Sequence, residues 1–207
     1  MKEESLHFTE SEERILNAAL KVVNEETISG TRMHLIAEKA EMVQSNVHYY
    51  YKTKQDLLEG LQERILEEFY NIRRIDKQKS ADTLQSQIHI FFSQKKYMLL
   101  KKKDYDFAEL NFIIQSKIDQ KIRGRFQESY TEWRDAIREI IIRFCPEMEE
   151  SDKEIIPYLA VSLLEGASIQ VLVDGKDFDA ESYFDSAEKM VLDHIENAMK
   201  KVQIKGE

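Results

Sequence analysis

The apolar residues between Met33 and Tyr50 fall in an order that admits few folds. Counting Met33 as the first place, Ile36 and Ala37 stand fourth and fifth, Ala40 eighth, Met42 tenth, Val47 fifteenth and Tyr50 eighteenth. Each cluster has the period of a helix, and a short break separates them. The stretch therefore reads as two short helices joined by a tight turn, a helix-turn-helix. Ala37 supplies the small side chain needed where the helices cross closely, and the other apolar positions hold the angle between them. Such a unit leaves one face of its second helix free to enter the major groove of DNA.

The rest of the chain is also helical in pattern. Only 2 prolines and 6 glycines punctuate 207 residues, too few turn residues for a β-sandwich or barrel. Thr9 to Glu12 has the form of a capping box, and Ile15, Ala18, Ala19, Val22 and Val23 predict a first helix to about Glu26. The second helix is predicted from about Thr31 to Ala40 and the third from about Gln44 to Tyr51. Thr53 is a good N-cap, with Asp56 at the positive end of a fourth helix. That helix carries Leu57, Leu58, Leu61, Ile65, Phe69 and Ile72 and is predicted to end near Arg73. Residues 73–81 are polar and read as a connector. Further helices follow on Leu84 to Leu99, Phe107 to Ile114, and a long stripe from Ile122 to Phe144 that stops before Pro146. A segment from about Asp152 to Asp174 is apolar on nearly every side in its second half, and a last helix runs from about Ala180 to Val202. The fold class is all-α, with about nine helices. An N-terminal DNA-binding domain (10–70) is joined through helix four to a helical C-terminal domain (71–207).

The formal net charge of −9 counts against nucleic-acid binding when taken alone, but distribution matters more than the sum. Residues 31–56 carry four bases (Arg32, Lys39, Lys52, Lys54) against three acids (Glu38, Glu41, Asp56). No apolar run approaches the roughly 20 residues of a membrane span, and the polar N-terminus has no secretion or transit pattern. A single cysteine, Cys145, fits a reducing cytoplasm. No Cys/His spacing suits a metal, and no cofactor is implied. The histidines at 7, 34, 48, 89 and 194 form no nucleophile–base frame, and no glycine loop suits phosphate, so an enzyme is not expected.

Gln44, Ser45, Asn46, His48 and Tyr49 lie on the free face of the third helix. Asn and Gln can pair bidentately with adenine, and Ser and Tyr hydroxyls can donate to phosphates. Lys54, in the first turn of helix four, can join backbone N–H groups around one phosphate. Thr31, Arg32 and His34, at the start of the second helix, complete the candidate DNA-binding set. The alternative is a set of ordinary polar residues on a solvated helix.

Residues 14–58 resemble the N-terminal domain of the TetR family of bacterial regulators. Arg14, Ile15, Leu16, Ala18 and Ala19 match its start, Thr31, Ile36 and Ala37 its middle, and Ala40, Tyr50, Lys54, Leu57 and Leu58 its end. Three positions depart from the pattern. Glu41 replaces the turn glycine and must take up a left-handed or strained conformation. Val43 replaces the serine cap of helix three, and the closing aromatic pair reads Tyr50-Tyr51. Tyr50 is expected to pack helix three on helix two, Tyr51 to tuck toward helices one and four, and Tyr49 to face out.

The resemblance implies a homodimer that reads palindromic double-stranded operator DNA and responds to a small-molecule effector. The segment LLEGASIQVLVDGKDFD is similar to one found in many members, whose last two long helices form a four-helix dimer interface. Leu159, Leu163, Gly166, Ala167, Gln170, Phe184, Ala187, Val191 and Ile195 are the interface residues so implied. Leu159 to Val173 as the core of a monomer is the alternative. The family usually places an inducer pocket among the middle helices, here about 82–174. The stripe Phe126, Tyr130, Trp133 and Ile137, with Phe91, Phe107 and Phe112 opposite, could line an apolar cavity or could be core. Glu109, Arg123 and Arg125 could select ligand charge or lie on the surface. The implied function is a cytoplasmic, ligand-responsive regulator, most simply a repressor. A helical small-molecule or protein-binding module with little DNA affinity is the alternative.

Overall fold

A computed structural model describes residues 8–205, and all regular structure among them is helical. His7 and most of the polar N-terminal segment fall outside the described residues. The helices are α1 (Glu10–Gly30), α2 (Met33–Lys39), α3 (Gln44–Tyr50), α4 (Lys54–Lys79), α5 (Leu84–Lys101), α6 (Lys103–Gln115), α7 (Gln120–Phe144), α8 (Glu150–Asp174) and α9 (Ala180–Lys205). One turn of 3-10 helix, Gly175–Asp177, separates the last two. The chain divides into two compact units. Among the described residues, one holds 8–71 together with Lys102–Phe126, the other Ile72–Lys101 together with 127–205.

In the first unit α1 starts on a full capping box. Thr9 Oγ1 accepts from Glu12 N–H while Glu12 Oε2 accepts from Thr9 N–H at 2.9 Å. Its inward stripe is Ile15, Leu16, Ala19, Val22 and Val23, all buried. Regular helix breaks at Thr27, whose φ of 59° lies in the left-handed region, a strained setting for a β-branched residue. α2 begins at Met33, two residues later than predicted, because Thr31 is used to close α1. Ile36, Ala37, Ala40 and Val47 are buried as the helix-turn-helix spacing requires, and Met42 and Tyr50 are half-buried. In the turn, Glu41 has φ 53°, the left-handed conformation expected of that position. Arg14 Nη2 donates to Ala40 O at 2.7 Å, placing a cation on the negative end of α2. Thr53 and Asp56 cap α4 reciprocally, at 3.0 and 3.1 Å.

Two sequence expectations are corrected. The polar stretch from Arg73 is not a connector: α4 runs on to Lys79. Arg, Lys and Gln are good helix formers, and Arg73 gains packing within the second unit, its guanidinium 5.1 Å from the Phe91 ring centre and 5.4 Å from that of Trp133. Secondly, α6 and the start of α7 belong to the first unit, with the N-terminal helices. Asn24 Nδ2 donates to Asp104 O at 2.8 Å, Arg64 joins Glu13 to Tyr105 Oη, and Gln62 Nε2 donates to Ile122 O at 3.1 Å.

In the second unit α5 packs on α8 and α9, and α8 packs on α9. The buried Lys95 ammonium pairs with Glu165 at 3.0 Å, and Tyr183 Oη donates to Leu163 O at 2.7 Å. Phe184, Ala187, Val191 and Ile195 of α9 and Ala167 of α8 are buried within this unit. These five are core residues of one chain, which corrects their assignment to an interface between chains. Leu163 and Gly166 are half-buried, and Leu159 and Gln170 are exposed. α8 with its 3-10 turn is also long and apolar enough to cross a membrane by length and composition, contrary to the sequence expectation. Its packing on α9 and α5 accounts for one side of that apolar surface.

Tyr51 closes the helix-turn-helix. Its ring lies so near Gly60 of α4 that a β-carbon there would stand 2.9 Å from Cε1. Burial, assisted by the Glu12 and Glu63 carboxylates, raises the Tyr51 phenol to about 12. The folded-state pKa lies above the ordinary 10.0, so this contribution to stability is complete below that value and is lost as pH rises through about 12. Tyr51→Phe is expected to flatten the alkaline end of the stability–pH curve in that window. Urea titrations of both proteins from neutral to alkaline pH check this.

Candidate nucleic-acid interface

The face that α3 turns to solvent follows from what the helix buries. Val47 is fully buried, Tyr51 just beyond the helix is buried, and Tyr50 is half-buried. With these inward, Gln44, Ser45, Asn46 and Tyr49 are exposed together, Tyr49 at 81 %. Tyr49 stands edge-on to Tyr50, ring centres 5.1 Å apart, so its phenol is carried outward on a supported ring. His48 is half-buried at the edge of this face, with Nδ1 3.1 Å from Lys52 O and Nε2 3.2 Å from Gln44 Nε2. Val43, at the N-cap, makes no side-chain cap and leaves its isopropyl group exposed. The row therefore offers amide, hydroxyl and phenol groups on a helix whose orientation is fixed from behind.

Arg32 and His34 are exposed beside this row in sequence. Arg32 Nη1 donates to Ser29 O at 2.6 Å and Thr31 O at 2.9 Å, which closes off the end of α1. Thr31 is a correction: it is fully buried, and its hydroxyl donates to Thr27 O at 2.7 Å, so it cannot touch a ligand. Lys54 is half-buried and its Nζ donates to Ile28 O at 2.6 Å. Burial lowers the Lys54 pKa, and the nearby Arg32 charge lowers it further. The ammonium thus holds the strained end of α1 and stands close to a second cation, an arrangement that favours an anion between them. Lys52, exposed just past α3, was not among the sequence candidates. Its position just after the helix end, two residues before Lys54, is the signal that could have found it.

The aromatic pocket candidates are buried or half-buried and are divided between the two units. Phe112 and Phe126 are buried in the first unit, with Phe107 half-buried beneath Lys103. Phe91, Trp133 and Ile137 are buried in the second, with Tyr130 half-buried and edge-on to Trp133. A groove of about 880 Å³ in the second unit is lined by other residues, among them Leu84, His89, Cys145, Glu188, Leu192 and Met199. Glu109 is buried, Arg123 is exposed, and Arg125 is held by Glu59 and Glu63.

Residues 15–61 match the family model of bacterial regulatory proteins of the tetR family. The fold is similar to that of a TetR transcription regulator from Haloarcula marismortui, with TM-score 0.77 and 19 % identity over 92 % of this chain and 99 % of that one. It is similar also to a TetR-like transcriptional regulator from Rhodococcus sp. RHA1, with TM-score 0.74 and 18 % identity over 91 % and 97 %. A transcriptional regulator from Saccharomonospora viridis in complex with choline aligns with TM-score 0.75 and 20 % identity over 90 % and 96 %. No curated protein matches the chain.

Thr31→Val is expected to cost about 1 kcal/mol of stability through the lost hydroxyl bond and to leave any DNA affinity unchanged. Thermal melts and gel-shift titrations of the variant separate the two effects.

Proposed function

We propose that this chain, a tetR-family protein by its N-terminal domain, is a DNA-binding transcriptional regulator, a repressor that releases a palindromic operator when a hydrophobic or amphipathic small molecule binds. The observation that carries the DNA half of this reading is the exposed row Gln44, Ser45, Asn46 and Tyr49 on a helix fixed by Val47 and Tyr51. In a helix-turn-helix such a row faces base edges, and flanking cations engage phosphates. Residues 10–70 carry the DNA-binding function and 71–207 the effector and dimerisation functions, with Lys102–Phe126 falling in the same compact unit as the N-terminal helices. Two copies read half-sites about one helical turn apart, roughly 34–36 Å. The complex belongs in the cytoplasm.

Dimerisation draws support from the outer side of α8. Ile155, Leu159, Ile169 and Val173 are exposed there at helical spacing, with Tyr158 and Leu172 flanking them. An apolar stripe of this length calls for a cover, and a second copy of α8 and α9 supplies one. The effector acts by population shift: it binds the DNA-incompetent arrangement more tightly than the competent one. The choline bound to the Saccharomonospora regulator makes small organic cations a sensible first class to screen. A helical binding module with little DNA affinity is the competing reading, favoured by the net charge of −9.

Selection from a random duplex library, followed by affinity measurements across a salt series, decides between them. A regulator yields a palindromic consensus and a negative salt slope of about 0.9 per phosphate contacted. A pool with no enriched sequence and no salt-dependent binding would sink the DNA reading. Arg32→Ala is expected to weaken binding uniformly and reduce the slope by about 1, whereas Tyr49→Ala weakens it at particular bases. Ile169→Asp places a charge on the exposed stripe. It is expected to give folded monomers by sedimentation, with operator affinity lost; an unchanged dimer would place the interface elsewhere.

A further inference from the structure

We infer that His48 is a positioning residue whose ring sets which way round the Gln44 carboxamide is presented to a base. The inference rests on the DNA-binding reading above. Gln44 opens α3, His48 lies one turn further on, and Lys52 follows just past the helix end. Gln44 and His48 share one edge of the helix, and the chain beyond its end brings the Lys52 carbonyl back to the His48 ring. His48 Nδ1 is 3.1 Å from the Lys52 carbonyl oxygen, and Nε2 is 3.2 Å from Gln44 Nε2.

These two contacts fix the proton. A carbonyl oxygen only accepts, so Nδ1 carries the hydrogen and donates it to Lys52 O. In an imidazole with one ring N–H, Nε2 then presents a lone pair, which only a donor can satisfy. Gln44 therefore gives one of its two amide hydrogens to His48. Its Oε1 and second N–H remain on the exposed side of α3. That pair is complementary to the N6 hydrogen and N7 of adenine. The Lys52 carbonyl thus dictates the His48 tautomer, and the tautomer dictates the polarity of Gln44.

His48 acts through Gln44 and need not touch DNA. Removing the ring leaves the amide free to rotate about its broad, nearly two-fold terminal torsion, so selectivity falls without the contact being deleted. Lysine at position 48 has only donors, so it captures Oε1 and turns the NH2 group outward. Two outward donors suit the paired acceptors of guanine, O6 and N7.

The test uses the full-length protein and the duplex selected above, with each base pair of one half-site changed in turn. The native chain is expected to favour adenine at one position by roughly tenfold to a hundredfold. Gln44→Ala should abolish that preference. His48→Ala should reduce it at the same position and at no other, and the Gln44→Ala/His48→Ala double variant should be no worse than Gln44→Ala alone. His48→Lys should move the preference toward guanine. Effects of the two alanine variants that fall on different base pairs, or that multiply in the double variant, would overturn the inference and make His48 an independent contact. An unchanged profile in Gln44→Ala would overturn it equally. A native chain that selects no sequence at all defeats the DNA reading itself and is distinguished by that result.

Discussion

The closure of Tyr51 against Gly60 is the contact on which the orientation of α3 depends. A helix of seven residues with no side-chain cap at its N-terminus has too few internal hydrogen bonds to persist alone. It is held by what surrounds it. Val47 is buried beneath it, Arg14 ties down the preceding turn at Ala40 O, and the Tyr51 ring fills the space that Gly60 leaves on α4. Any side chain at position 60 would displace that ring. Because Tyr51 must point inward, Tyr49, two residues before it, must point out. The exposed row is therefore a consequence of one packed ring and one missing β-carbon.

The end of α1 shows a second dependence. Thr27 takes a left-handed backbone, and three side chains secure the turn that follows: Thr31 on Thr27 O, Arg32 on Ser29 O and Lys54 on Ile28 O. All three look from sequence like ligand contacts. The structure makes Thr31 wholly internal and gives Lys54 a structural bond, while Arg32 stays exposed. Lys54 can still share an anion with Arg32, since an ammonium has three donors and only one is accounted for at Ile28 O. The anchoring of α4 and the local positive field are thus produced by the same group.

Local chemistry was the legible part. The capping box at Thr9, the reciprocal pair Thr53 and Asp56, the left-handed Glu41 and the buried set Ile36, Ala37, Ala40 and Val47 each follow from rules spanning a few residues. What could not be read is which partner a buried face meets. The stripe Phe184, Ala187, Val191 and Ile195 announces burial but says nothing of whether its cover lies in the same chain, and here it does. Phe126, Trp133 and Ile137 of the α7 stripe are likewise buried, yet Phe126 and Trp133 end in different units. Residues 73–79 carry one apolar side chain, the exposed Ile75, so the contacts of Arg73 with Phe91, Trp133 and Gln94 are what reveal why helix continues there. Thr31 failed for a related reason: a hydroxyl that closes the preceding helix looks, in sequence, like one that opens the next.

The charge balance bears on how the proposed interface would work. Exposed charges more than about 8–10 Å apart are largely screened at physiological salt, so a net charge of −9 does not by itself forbid a local DNA contact. It does weaken long-range attraction and nonspecific adhesion. The exposed face of α3 is made of Gln44, Ser45, Asn46 and Tyr49, none of them a cation, and its cations Arg32, Lys52 and Lys54 lie at the margins. Affinity on such a face has to come from directed hydrogen bonds more than from counterion release, and directed bonds demand fixed donors and acceptors. That demand is where the Lys52 carbonyl, the His48 ring and the Gln44 amide meet: a chain with little charge to spend on DNA gains most from side chains whose polarity is settled before binding.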